Sequence, residues 1–282
     1  NSTIRKAGRG GLFSLDSSGL LIENNLVEQC GDNGVQIWGS SQRADGSRVI
    51  GNRIRAIRNR SGGTGQYGNG LSIYRAGAVL AQKNRIADCA FSALRNNSGH
   101  NVRFLDNVCE ASGETAIFAE FAYRDVTIER NLIDGAASGV QMVNFADHGG
   151  RGGVCADNVI RGLHVYRDGE GKEWGYQCGV KVEAETLVAR NRIDDAPWCG
   201  VLAGWGPSLK DVRIEDNVIR NAPIGVGASV APGAGRAAIR RNAFESVRQG
   251  VVALRWDKPA SGDLTRERNG FASLTVEANR AG

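Results

Sequence analysis

Glu120, Glu183, Lys181, Tyr74, Arg75 and His148 are the side chains of this sequence whose types and spacing could do acid–base chemistry. Two carboxyl groups facing one substrate can act as proton donor and as base for an attacking water. Removing a proton beside a carboxylate needs a different set: a cation to neutralise that carboxylate, a base for the proton and an acid for the departing oxygen. Lysine, arginine, tyrosine and histidine supply these roles. Both sets are singled out because a repeat in the sequence places their members on, or next to, one surface.

The phrase Val212-Arg-Ile-Glu-Asp-Asn217-Val-Ile, followed by Gly225-Val, recurs as Val126-Thr-Ile-Glu-Arg-Asn131-Leu-Ile followed by Gly139-Val. Its asparagines are Asn25, Asn52, Asn84, Asn107, Asn131, Asn158, Asn191, Asn217 and Asn242. Apolar residues alternate strictly in each unit, the pattern of strands with one buried face, and three short strands fit each unit. The asparagine falls between two strands, where a bend at positive φ is expected, and stacked asparagines could hydrogen-bond from rung to rung. A glycine opens the third strand at a second corner. Such units bury little alone, so they must coil and stack. The expected fold is all-β: one right-handed parallel β-helix domain over residues 1–282, with about nine to ten rungs of three short strands.

The repeat resembles that of the pectate-lyase-like superfamily, whose members include polysaccharide lyases, polygalacturonases and alginate epimerases. Tyr67-Gly-Asn-Gly-Leu-Ser-Ile-Tyr74, Phe118-Ala-Glu-Phe121, Val143-Asn-Phe145 and Gly204-Trp-Gly-Pro207 further resemble a group of exported bacterial β-helix repeat proteins that use the twin-arginine route. That resemblance implies a periplasmic or secreted location and no particular reaction; from its opening at Asn1 without a methionine, the chain is expected to be a fragment of a longer one. The superfamily resemblance implies a ligand lying across the strand that begins with glycine.

Alternation along that strand puts Val35 and Ile37, Leu71 and Ile73, Phe91 and Ala93, Ile117 and Ala119, Val140 and Met142, and Val180 and Val182 inward. One outward column then reads Gln36, Ser72, Ser92, Phe118, Gln141, Lys181, Leu202, Gly227 and Val252. Its neighbour reads Trp38, Tyr74, Leu94, Glu120, Val143, Glu183, Gly204, Ser229 and Leu254. The polar and aromatic members lie in the first six rungs, where the insertions at 59–69 and 164–178 would overhang them. Glu120 and Glu183 fall two rungs apart, about 9–10 Å by strand spacing. Arg75, Arg95, Tyr123, Arg124 and His148 are expected in the turns that follow the strand, with Asn144 beside them. Trp38, Trp174, Trp198 and Trp205 offer flat faces on which sugar rings could stack, Trp198 beside a corner glycine reading equally as a cover for the core, and Tyr166 is a further substrate-binding candidate.

Lysine and arginine number 35 against 30 acidic residues, a mild excess that suits an anionic partner. The arginines are scattered, without a nucleic-acid motif, and no apolar run reaches the length of a membrane span. An acidic polysaccharide is the expected partner, with an N-terminal domain or a capping partner to cover the solenoid ends. Histidines at 100, 148 and 164 show no metal spacing, and the outward columns lack the aspartate group that holds calcium in pectate lyases, so no cofactor is expected. One calcium ion on Glu120 or Glu183 with loop aspartates is the alternative. Cys178 and Cys199 fall on adjacent rungs, where strand spacing permits a disulfide on distance, and read first as a stacked pair of buried thiols. The expected function is action on a uronate-containing polysaccharide, by lyase or epimerase chemistry before hydrolysis; the alternative is glycan binding or scaffolding without catalysis.

Overall fold

The computed structural model describes residues 1–167, 173–174 and 176–282. Three long sheets run the length of the chain, built by taking one strand from each turn of the coil. The first sheet holds the strands after the repeated asparagines, from Thr3–Arg5 and Leu26–Glu28 through to Arg280–Ala281. The second begins with Leu12–Leu15 and Val35–Ala44 and continues to Gln249–Arg255. The third holds the strands before the asparagines, such as Val212–Glu215. Neighbouring rungs pair in parallel with in-register apolar residues, for example Ile86 between Ile54 and Cys109. This is the right-handed β-helix that the alternation requires, and among the described residues its one helix is the single turn Phe145–His148.

The asparagines form a column of hydrogen bonds. Asn107 Nδ2 donates to Asn131 Oδ1 at 3.0 Å and Asn131 Nδ2 to Asn158 Oδ1 at 3.0 Å. Each also receives the backbone N–H of the preceding rung's asparagine, as Asn131 Oδ1 does from Asn107 N at 2.9 Å. The column runs from Asn25 to Asn279, so the last rung carries a tenth member that a weaker repeat phrase conceals. The bend itself is made one residue earlier than the sequence suggests. Asp106, Arg130, Asp157, Arg190, Asp216 and Arg241 hold φ of 54–58°. The asparagine is kept for the interior, where its amide satisfies backbone and side-chain groups that would otherwise be buried without partners.

The core is a continuous stack of aliphatic residues with Phe104, Phe244 and Tyr123. One rung of the second sheet differs from the expected alignment. Leu94 pairs with Leu71 and Ile117, so the strand is Leu94–Asn97, three residues later than expected. Leu94 and Asn96 take the inward strand positions expected for Phe91 and Ala93; Ala93 still reaches the core, from the corner before the strand, whereas Phe91 is only partly buried. Arg95 and Asn97 point outward in place of Ser92 and Leu94. Asn96 is the cause: it is fully buried and its side chain caps the following turn, accepting from Gly99 N and donating to Gly99 O, so an amide stands where the pattern calls for an apolar residue.

At the C-terminal end Lys258–Pro259 folds back antiparallel on Leu254 and Arg255 and closes the edge of the second sheet. At the other end the first rung leaves Phe13, Leu15 and Leu21 more than half exposed.

Candidate functional site

The outer surface of the second sheet carries two columns. Register gives the first as Phe13, Gln36, Ser72, Arg95, Phe118, Gln141, Lys181, Leu202, Gly227 and Val252. The second passes from Leu15 through Trp38, Tyr74, Asn97 and Glu120 to Val143 and Glu183. Segments at the two edges raise walls. At the leading edge, the 59–69 loop is tied down by Asn33 Nδ2 to Gln66 O at 3.2 Å and by Asn69 Nδ2 to Gly65 O at 2.9 Å. At the trailing edge, the 39–44 extension crosses several rungs, and Gln42 Nε2 donates to Ser98 O at 3.0 Å and Ala122 O at 3.3 Å.

Near the start of this surface three rings meet edge to face: Trp38 lies 5.5 Å from Phe13 and 5.9 Å from Tyr74. Trp38 Nε1 donates to Ser72 Oγ at 3.1 Å, which fixes the indole. The Arg75 guanidinium sits 4.7 Å from the Tyr74 ring centre and donates to Ser40 O. Gln36 and Ser72 are nearly covered, so the accessible groups here are the rings and Arg75.

In the middle lies a buried ion cluster. Arg95, expected in a turn, is on the sheet, because the three-residue offset of its rung moves it there. It grips Glu120 with two hydrogen bonds of 2.8 Å and reaches Glu114 at 3.3 Å. Its guanidinium packs 4.8 Å from the Phe118 ring centre. Gly65, at φ 132°, closes over it: a Cβ there would overlap the guanidinium. Burial pushes the Glu114 carboxyl above its ordinary range; Arg95 opposes that shift and the charge of Glu120 adds to it. Glu120 is therefore engaged with Arg95 rather than facing solvent. Glu120 and Glu183 do share a column two rungs apart.

Beyond this, Gln141 and Lys181 are half-exposed on consecutive rungs. Glu183 does not close a contact with Lys181. Its Oε2 accepts Phe145 N at 2.8 Å, holding the single-turn helix against the sheet. Burial raises its pKa, opposed by the Phe145 amide and by the charge of Lys181. Tyr123, expected at the surface, is completely buried in the core. Burial, and then the charge of Glu183, push its phenol well above the ordinary range. Its hydroxyl has no hydrogen-bond partner among the described residues. Repeat alignment missed this because Tyr123 opens the corner that leads into Arg124–Glu129, and at that corner the chain turns it under the coil. Asn144 adopts φ 73° and accepts Phe121 N at 3.0 Å; His148 is exposed, 4.9 Å from the Phe121 ring; Arg124 is exposed. The backbones of Tyr166 and Trp174 pair in a short hairpin, but their side chains lie outside the described residues.

The last rungs are sealed. Leu202, Val252 and Leu254 point outward yet are at most 1% exposed, packed with Cys178, Cys199 and Ile224 into a second apolar cluster. Trp198 and Trp205 lie on it. Tyr176 bridges them, 5.2 and 5.5 Å away, and Trp256 abuts Trp205 at 5.9 Å. The Tyr176 hydroxyl donates to Asp257 at 2.9 Å. Lys181 Nζ stands 5.2 Å from the Trp205 ring centre.

No three His, Cys, Asp or Glu side chains converge in a metal-holding arrangement among the described residues. All six cysteines are free and buried. Shallow depressions of about 430 Å³ around Glu28 and Arg55 and about 280 Å³ around Arg103 and Asp125 lie on the first and third sheets, away from this face.

Residues 1–149 match the family described as "Right handed beta helix region". The chain belongs to that family. No curated protein matches it. Among solved structures it is similar to an alginate lyase from Paenibacillus (12% identity, TM-score 0.60, 99% of each chain covered). It is also similar to a surface protein and adhesin of Streptococcus pneumoniae (12%, TM-score 0.63, 99% of this chain and 89% of that one). A third is the catalytic unit of an α-1,3-glucanase from Streptomyces thermodiastaticus (16%, TM-score 0.58). It covers 99% of this chain, and this β-helix spans about half (48%) of the glucanase unit. At these identities the likeness is one of fold.

Proposed function

We propose that this β-helix binds an acidic, uronate-containing polysaccharide along the outer face of its second sheet, at or outside the cell envelope. The observation that carries the reading is which side chains the face leaves accessible. Trp38, Tyr74 and Arg75 at one end, and Gln141, Lys181 and Trp205 at the other, offer rings, cations and an amide, whereas Glu114 and Glu120 are engaged with Arg95 and Glu183 with a backbone amide. Rings beside strand ends stack on sugar faces, and cations meet carboxylates. The net charge of +5 has the sign such a ligand needs. Similarity in fold to an alginate lyase and to a surface adhesin fits both ligand class and location.

The test is retention on immobilised polygalacturonate, alginate and neutral glucans, with Trp38→Ala and Lys181→Ala alongside. Retention on the acidic polymers that is weakened by both substitutions supports the reading; equal retention on neutral glucans sinks it.

Catalysis is the second reading, as lyase or epimerase, and Glu183 favours it: a carboxyl held above its ordinary range, with Lys181 as the neighbouring cation, is suited to proton transfer beside a uronate. Formation of unsaturated uronates or of C5-inverted residues, lost in both Glu183→Gln and Lys181→Ala, would establish it.

A further inference from the structure

The accessible part of the second-sheet face ends abruptly at the Lys181 rung. The next outward residue in its column, Leu202, is 1% exposed, because Trp198 and Trp205 lie over the apolar cluster to which it belongs. This cover reaches across the full width of the sheet. Tyr176 and Trp198 precede their strands, Trp205 follows its strand, and Tyr176 meets both tryptophans. The Tyr176 hydroxyl then bonds Asp257, in the turn after Gln249–Arg255. Trp256 rests on Gly206, where any Cβ would overlap its ring. A layer of side chains thus rises above the floor on which Gln141 and Lys181 stand, and Tyr176 and Trp256 remain about half exposed at its edge.

We propose that this aromatic barrier is a terminal subsite, and that the protein recognises the end of a polyuronate chain rather than its middle. This rests on the binding reading above. A polymer lying lengthwise over Gln141 and Lys181 meets the rings and cannot continue along the sheet. The chemistry at that point suits a terminal uronate. The Lys181 ammonium, drawn over the Trp205 ring, is placed to meet a carboxylate, and Trp205 and Tyr176 present ring faces and edges to a terminal pyranose. An open trough would let several protein copies load on one long chain; a blocked one admits a single copy for each end of the correct kind.

The test uses oligogalacturonates and oligomannuronates of increasing length, titrated calorimetrically into the intact protein. The expected result is one protein per chain at every length. Stoichiometry that grows with chain length overturns the inference while leaving the binding reading intact. Absence of binding by every length removes the binding reading and the inference with it. A second measurement modifies one end at a time. Borohydride reduction opens the ring at the reducing end, and lyase treatment flattens the ring at the other. One modification should weaken binding at least tenfold and the other leave it unchanged; if neither changes affinity, the subsite is not terminal.

Discussion

Arg95 and Leu202 stand in the same outward column of the second sheet, four rungs apart, and both are almost removed from solvent. Arg95 is covered by a glycine-rich loop, with its charge met by two carboxylates. Leu202 is covered by aromatic rings over an apolar cluster. The corner column beside them changes in the same direction. Asn33 and Asn69 are linked by hydrogen bonds and followed by Ser92, Thr115 and Ser138; Cys178, Cys199 and Ile224 continue the line. One backbone architecture therefore carries a polar exterior and an apolar one in sequence. What sits outside the coil is set by side chains alone, and the boundary between the two exteriors is where the accessible face ends.

The sharpest way to break this contrast is to remove Arg95. Arg95→Ala leaves the buried Glu120 carboxylate, with the partly buried Glu114 beside it, without a cation, and losing one partner of a buried ion pair typically costs about 3–5 kcal/mol. Urea unfolding should show a loss of that order. A combined Arg95→Met, Glu114→Gln, Glu120→Met variant should recover most of it, because an apolar cluster like the one at Leu202 needs no charge balance. A single variant that unfolds at the wild-type midpoint would show that the cluster is hydrated and the contrast false.

Leu202→Ala tests the other side. It opens a cavity under Trp205, and deletion of a buried leucine costs about 2–5 kcal/mol, with the lower end expected where an overlying layer can settle. Near-ultraviolet circular dichroism should change with it, since Trp198 and Trp205 lose the surface they pack on. An unchanged aromatic spectrum with undiminished stability would mean that the rings do not rest on Leu202.

How far these two regions could be read from sequence follows from the same physics. Strand periodicity and the recurring asparagine gave the coil, because both repeat on every rung. The columns were read correctly wherever the inward residues were apolar, so Glu120, Lys181 and Glu183 fell in place. They failed at Asn96, whose local turn-capping bonds put an amide in the core, and this hid Arg95 from the face. Partners of Arg95 were not legible for that reason. The aromatic barrier was not legible for another: Tyr176, Trp198, Trp205 and Trp256 lie outside the aligned strand positions, and only the path of the loops brings them together. The pairs of small or aliphatic outward residues at Leu202, Gly227 and Val252 were the available signal, since exposed aliphatic columns need a cover.

A smaller effect separates the two groups of rings. Trp38 touches Phe13 and Tyr74 on an open surface, so Trp38→Ala should change stability by less than about 1 kcal/mol but weaken polyuronate binding about fivefold, the size of one ring contact. Trp205→Ala should do both, because that ring also seals the apolar cluster. Equal stability losses in the two variants would erase the distinction between a platform and a seal.

The smallest expected effect lies at the boundary, at Glu183. Its carboxyl is held above the ordinary range by burial, against the Phe145 and Asn144 amides and the charge of Lys181, with Asp147 adding to the rise. A carboxyl whose pKa is raised on folding favours the folded state while protonated. That contribution is complete below the ordinary carboxylate pKa and is lost as pH climbs through the raised value. Glu183→Gln keeps a neutral side chain that can still accept Phe145 N, so the variant should gain stability relative to wild type as pH rises from 4 to 7. The readout is the difference in urea midpoint between the two proteins at each pH. Glu114, raised with the same sign, is present in both and drops out of the difference. A difference that stays flat across this window would show that Glu183 is as well solvated as an exposed carboxylate, and would place the end of the polar region one rung earlier, at Gln141.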